Sequence, residues 1–171
     1  MKKIIKTSHL IIKPYEDIDQ IRLAELLTNK EIKKTVPITD CETEKALSEM
    51  VTKLQNLSRS DDHFERGIYL DALLIGSVYD VEIDNDAIEL GYLIHPACHN
   101  KGYATEMLRA VIQELLHDNY STITACAFEE NHASIQVMKK SGMKKTNKEK
   151  DIDDHGVKRH CVYYAISKKQ Q

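Results

Sequence analysis

Apolar residues recur along this chain with two periods, and the points where the period changes mark its elements. The stretch SHLIIKPY has a short extended core around Leu10, Ile11 and Ile12 and is ended by Pro14. Beyond it, Ile18, Ile21, Leu23, Leu26 and Leu27 form a stripe at helical spacing. A second helix is predicted from TDCE, where Thr39 and Glu42 have capping-box spacing. Ala46, Leu47, Met50, Val51 and Leu54 continue its apolar face. The polar stretch SRSDDHFERG reads as a link within one domain.

From Gly67 the texture changes. GIYLDALLIGSVYDVEI and AIELGYLI are rich in β-branched and aromatic residues and are separated by the turn signal DND, which predicts consecutive antiparallel strands. Ala104, Met107, Leu108, Val111, Ile112, Leu115 and Leu116 then recur at helical spacing, and STITACAF predicts another strand. NHASIQVMKKSG predicts a short helix, with Asn131 placed to cap its start and Gly142 to end it. A charged segment follows, in which Asp151, Asp153 and Asp154 read as a solvated hairpin loop, and CVYYAISK is the last strand. The order β-α-α-β-β-β-α-β-α-β-β predicts an α/β (α+β) fold in a single domain over 1–171, with a mixed, mostly antiparallel central sheet flanked by about four helices. Strand, helix and strand from Ile88 to Phe128 make a parallel crossover, and open α/β sheets bind ligands beyond the carboxyl ends of such strands.

Composition narrows the function classes. The formal net charge is −3 with basic and acidic residues interleaved, which argues against a nucleic-acid partner. The four cysteines, Cys41, Cys98, Cys126 and Cys161, show no CxxC spacing, as expected of free thiols in a reducing compartment. The start MKKIIKTSHLIIKPY lacks the continuous apolar run and cleavage site of a secretory signal. No segment approaches the about 18 apolar residues of a membrane span. A cytoplasmic protein with no membrane partner is expected.

The crossover loop HPACHNKGYATEML carries the candidate chemistry. Amides at a helix start are unpaired, and the helix dipole makes them an anion seat. The patterns GxxxxGK(S/T) and GxGxxG are both absent, since Gly91 and Gly102 stand too far apart. What remains is HNKGYA, with Lys101 in reach of an anion and no acid before Glu106. An ordinary strand-to-helix turn has the same appearance. His95, Cys98 and His99 enclose Pro96 and lack a fourth ligand, so they read as loop around a ligand and not as a metal site. Cys126 lies in a β-rich run without a base at catalytic spacing, and reads as buried packing.

This loop resembles the phosphate motif of the GNAT superfamily of N-acetyltransferases, Gln/Arg-x-x-Gly-x-Gly/Ala, with Gly102 and Ala104 matching and His99 in the first position. TSHLIIKPYEDID, IELGYLIHP, KGYATEML and NHASIQVMKKSGM are similar, in order, to segments of the RimJ/RimL-type branch. The resemblance implies a GNAT fold whose fourth and fifth strands splay apart, with acetyl-CoA as co-substrate and no metal. By matching position, the pyrophosphate would meet His99, Asn100, Lys101, Gly102, Tyr103 and Ala104, with Thr105 just inside the helix. Tyr103 would be free to point into the core. Leu93 and Ile94 would bond the pantetheine arm, and Asn131 would contact its side. Glu89 would act as general base, directly or through a water, and Ser134 as general acid beside the departing thiolate. The helix tyrosine of many members is replaced by Met138, and Tyr92 and Tyr163 are weaker candidates for the acid. The acceptor implied is a protein N-terminal α-amine, a polyamine or another small amine, and dimers are common among relatives, so a homodimer is compatible. The alternative is a non-catalytic acyl-CoA-sensing module that works through a partner protein.

Overall fold

The computed structural model describes residues 4–118 and 120–168, so the basic start at 1–3 lies outside the described residues. In chain order it holds β1 (Ile5–Lys6), β2 (Leu10–Lys13), α1 (Gln20–Thr28), α2 (Lys30–Lys33), α3 (Glu44–Arg59), β3 (Glu65–Leu70), β4 (Leu73–Asp84), β5 (Ala87–Ile94), α4 (Tyr103–His117), β6 (Thr122–Phe128), α5 (His132–Lys140), β7 (Lys144–Asp154) and β8 (Val157–Ser167). The strands form one eight-stranded sheet in the order β1-β2-β3-β4-β5-β6-β8-β7. β5 and β6 pair parallel, across the crossover that the sequence predicts, while β1–β2, β2–β3, β3–β4, β6–β8 and β7–β8 are antiparallel. The described residues divide into two compact units: the first runs to Tyr79 and resumes over Tyr92–Tyr103, and the second holds Asp80–Gly91 and the chain from Ala104 onward. No helix among the described residues is long and apolar enough to cross a membrane.

In the first unit the core gathers Tyr15, Leu23, Leu26, Ile32, Val51, Tyr69, Leu74 and Leu93. The α1 stripe is narrower than its sequence suggests. Leu23 and Leu26 are buried, but Ile18 and Ile21 are 84% and 85% exposed. Ile18 lies in the 3₁₀ turn Asp17–Asp19 that precedes α1, and Ile21 lies within α1 two residues before Leu23, which turns it to the opposite face. The second helix also begins later than expected. Its N-cap is Thr43, whose side-chain oxygen accepts the Ala46 amide at 3.1 Å, so Thr39 and Glu42 stand outside α3 and form no capping box. Starting at Thr43 places the first turn directly before the apolar face at Ala46 and Leu47.

The predicted link SRSDDHFERG is partly strand, because β3 already begins at Glu65. Glu65 and Arg66 are only 5% and 7% exposed. Such burial is tolerable because partners are supplied: the Tyr15 hydroxyl donates to Glu65, and Arg66 donates to the Glu65 and Ser58 carbonyls. Gly76 on β4 meets a different constraint. A Cβ placed there would lie 2.2 Å from the Leu93 carbonyl oxygen on β5, so only glycine permits this approach.

In the second unit α4 buries Met107, Leu108, Val111, Ile112, Leu115 and Leu116, in accord with the periodicity. α5 ends as its sequence predicts. Gly142 takes φ 90°, its amide donates to the Lys139 carbonyl at 3.0 Å, and the Met143 amide reaches the Met138 carbonyl at 3.1 Å. The acids expected in a loop are instead in strand β7, with the turn displaced to His155 and Gly156. Cross-strand cations make this strand tenable. Asp151 lies 2.7 Å from Lys158 and 2.7 Å from His160, and Asp154 lies 2.9 Å from Arg159.

Candidate active site

The loop between β5 and α4 belongs to the first unit up to Tyr103. Pro96–Cys98 forms a 3₁₀ turn capped by His95, whose Nδ1 accepts the Ala97 amide at 3.2 Å. This fixes the proton on Nε2, which donates to Glu25 at 3.1 Å. His95 is therefore a structural cap, and among the described residues no three His, Cys, Asp or Glu side chains group to hold a metal ion. The next residues take left-handed backbone, φ 59° at Asn100 and φ 84° at Gly102. The Lys101 ammonium donates back to the Ala97 carbonyl at 3.0 Å. Among the described residues the amides of Asn100, Lys101, Gly102, Tyr103 and Ala104 donate to no protein acceptor. Nothing lies within 4 Å of a Cβ added at Gly102, so this end of the loop is open. Tyr103 is half-buried, its ring 6.1 Å from that of His9, and Thr105 is half-buried in the first turn of α4.

Leu93 and Ile94 present their main chains to opposite edges of β5. The His95 amide bonds the Ile75 carbonyl of β4 at 2.7 Å, and the Leu93 carbonyl faces Gly76 on the same strand. By strand alternation, Ile94 turns to the other edge. There its carbonyl accepts His99 Nε2 at 2.7 Å. His99 thus ties the loop to the strand. Its position in the first place of the phosphate motif gave no sign of this bond.

In the second unit the parallel ladder is short. Its registered pairs run from Ala87↔Thr122 to Leu90↔Ala125, and neither Gly91 nor Cys126 continues it. Glu89 sits within this ladder and is 7% exposed. Its carboxylate is 3.4 Å from the Lys148 ammonium, which also stands 4.2 Å above the centre of the Tyr163 ring. Cys126 opposes Tyr163 across β6 and β8. Burial first, and then the negative charge of Glu89, push the Cys126 thiol up to about 12. Burial and the neighbouring Cys126 and Glu89 likewise hold the Tyr163 phenol in its neutral form.

Cys126 is consequently a poor nucleophile. At pH 8 its thiolate fraction would be about 10³-fold below that of an ordinary cysteine, and the greater intrinsic reactivity of a basic thiolate restores only part of that. Alkylation by iodoacetamide is expected to be about 10²-fold slower at Cys126 than at a free cysteine in a peptide. Labelling followed by peptide mass mapping measures this, and comparable rates would contradict it.

Asn131 and Ser134 are joined by the start of α5, where the Asn131 side-chain oxygen accepts the Ser134 amide at 3.1 Å. Sequence reasoning missed Lys148 altogether. No local signal marks it, since its approach to Glu89 depends on an irregularity in β7 and not on its neighbours in the chain.

The acetyltransferase (GNAT) domain model matches residues 9–144, which include Glu89, the loop, Asn131 and Ser134. A curated relative, the uncharacterized N-acetyltransferase YnaD of Bacillus subtilis (strain 168), is 29% identical over 143 residues, covering 82% of each chain. Among solved structures, a GNAT-family acetyltransferase from Bacillus anthracis superposes with TM-score 0.83 at 24% identity, covering 98% of this chain and 99% of that one. The ribosomal-protein alpha-N-acetyltransferase RimL, solved in complex with coenzyme A, superposes with TM-score 0.82 at 13% identity, covering 99% and 100%. With the family model spanning most of its length and the crossover loop inside the match, this chain belongs to the GNAT acetyltransferase family.

Proposed function

We propose that the chain is an N-acetyltransferase of the RimJ/RimL type that moves the acetyl group of acetyl-CoA directly to an amine, working as one domain over 1–171 in the cytoplasm. The observation that carries this is the run of unpartnered amides from Asn100 to Ala104 at the mouth of α4. Five donors on left-handed and helical backbone suit a diphosphate, and the dipole of α4 adds to their field. Lys101 contributes a nearby positive charge, and Thr105 continues the polar rim. Leu93 and Ile94 would offer main-chain groups to an extended pantetheine arm, with the Ile94 carbonyl already held by His99 Nε2. Asn131 orders the first turn of α5 and so holds Ser134, which would protonate the departing thiolate.

Glu89 takes the proton from the amine. A lysine-like amine with pKa about 10.4 costs about 4.6 kcal/mol to neutralise at pH 7, and an α-amine near 7.8 costs about 1 kcal/mol. Its carboxylate lies 3.4 Å from the Lys148 ammonium, so an amine nitrogen can stand within reach of it. The RimL neighbour's activity as an alpha-N-protein acetyltransferase supports a protein α-amine as acceptor. Polyamines and other small amines are the competing acceptors. All four cysteines are free, which supports the cytoplasmic assignment.

The decisive experiment is thiol release from acetyl-CoA across a panel of N-terminal peptides, polyamines and small amines, alongside calorimetric titration with coenzyme A. Turnover of one class identifies the acceptor. Binding without turnover on any amine would favour the sensing role.

A further inference from the structure

The pairing of β7 with β8 is broken next to Glu89. Register runs from Lys145↔Tyr164 to Glu149↔Val162, so β7 takes four steps where β8 takes two. Thr146, Asn147 and Lys148 occupy this bulge. Thr146 anchors it, its hydroxyl donating to the Tyr163 carbonyl at 3.3 Å and accepting the Lys148 amide at 3.2 Å. Bulges re-aim side chains, and this one sends a lysine from an exposed edge strand back onto a buried carboxylate. The Glu89 side chain is 8% exposed and that of Lys148 is 54% exposed. The ammonium thus has a carboxylate at 3.4 Å and an aromatic face at 4.2 Å, yet remains open to solvent on its other side. The aromatic face and the carboxylate hold the amine in place, and the carboxylate is also the group that can take its proton.

We propose that Lys148 is a self-acetylation site: the protein transfers an acetyl group to the Lys148 side-chain nitrogen of its own chain. This rests on the reading of Glu89 as the base. Lys148 gives one ammonium proton to the Glu89 carboxylate, and the neutral nitrogen attacks the thioester carbonyl. The new C–N bond forms as the C–S bond breaks, the thiolate of coenzyme A takes a second proton from nitrogen, and Glu89 returns its proton to solvent. The net change is one ammonium and one thioester to one amide, one thiol and one released proton. Because the nucleophile is held beside the base, no bimolecular encounter with an acceptor is needed. The product is uncharged and no longer pairs with Glu89.

The test incubates the whole chain with acetyl-CoA and follows each lysine by peptide mass mapping. Lys148 is expected to gain an acetyl group about tenfold faster than any other lysine, with a rate constant independent of protein concentration. Glu89→Gln is expected to slow Lys148 about tenfold or more while leaving the background at other lysines unchanged. Lys148→Arg keeps the charge, and is expected to remove the modification without changing the circular dichroism spectrum. Uniform slow acetylation of all lysines, or a Lys148 rate indifferent to Glu89→Gln, overturns the proposal. If external amines are turned over while Lys148 stays unmodified, self-acetylation fails and the transferase reading stands. If neither thiol release nor coenzyme binding is seen, both fail.

Discussion

Gly102→Asp is expected to weaken coenzyme A binding by about a hundredfold or more, about 2.8 kcal/mol at 1.4 kcal/mol per tenfold. Two effects contribute. Gly102 sits at φ 84°, where a side chain costs about 1 kcal/mol of backbone strain. The larger effect is electrostatic, because a carboxylate would stand among the amides proposed to hold the diphosphate. A Cβ at this position meets no atom within 4 Å, so the variant is expected to fold. Gly102→Ala separates the contributions: it carries the strain without the charge and is expected to lose less than about tenfold. Isothermal titration with coenzyme A measures both. An aspartate variant that binds like the parent would remove the loop from the coenzyme site.

With a lysine-like acceptor, Glu89→Gln is expected to lower turnover by about 10²–10³-fold at pH 7 and by at least about tenfold less at pH 9, and with an α-amine the difference is expected to stay under about tenfold. The pH dependence follows from the amine. A nitrogen with pKa about 10.4 is neutral about a hundred times more often at pH 9 than at pH 7, so a base is needed less as pH rises. Glutamine conserves the shape of a side chain that is 7% exposed, which keeps the packing of β5 intact. Cys126 would lose the nearby charge but not its burial, which is the greater cause of its raised pKa, so no new thiolate should emerge to confuse the kinetics. Equal losses at the two pH values would show that Glu89 does not act on the amine proton.

Elements whose period is long and uninterrupted are legible in the sequence. The six apolar positions of α4 from Met107 to Leu116 are all buried, and Asn131 and Gly142 begin and end α5 as their residue types suggest. Legibility failed where one local feature overrode another. Ile18 falls in a 3₁₀ turn before α1, and Ile21 falls on the face of α1 opposite Leu23, so both stand in solvent. Thr39 and Thr43 both offer caps, and only the second abuts the apolar face. The charges of β7 read as a loop because their partners on β8 lie far away in the chain.

The candidate site divides in the same way. Its loop stands out in the sequence through Gly102 and Ala104, and at Gly102 the structure has the left-handed backbone, φ 84°, that favours glycine. The His99 bond to the Ile94 carbonyl and the Lys148 approach to Glu89 are tertiary facts. No spacing in the sequence announces either one. A two-residue slip in strand pairing is invisible to a reading based on alternation, since a shift of two preserves which face each residue takes.

That slip has a consequence at the rim. β7 is the last strand of the sheet, and its outer row of peptide groups is a template on which a stray strand could dock. The bulge at 146–148 interrupts the row, and Lys144, Lys145, Lys148 and Lys150 crowd it with charge. The opposite rim, β1, offers two residues among those described. Both ends of the ladder are therefore poor seeds for fibril growth, and the protein should resist strand-on-strand aggregation even when concentrated.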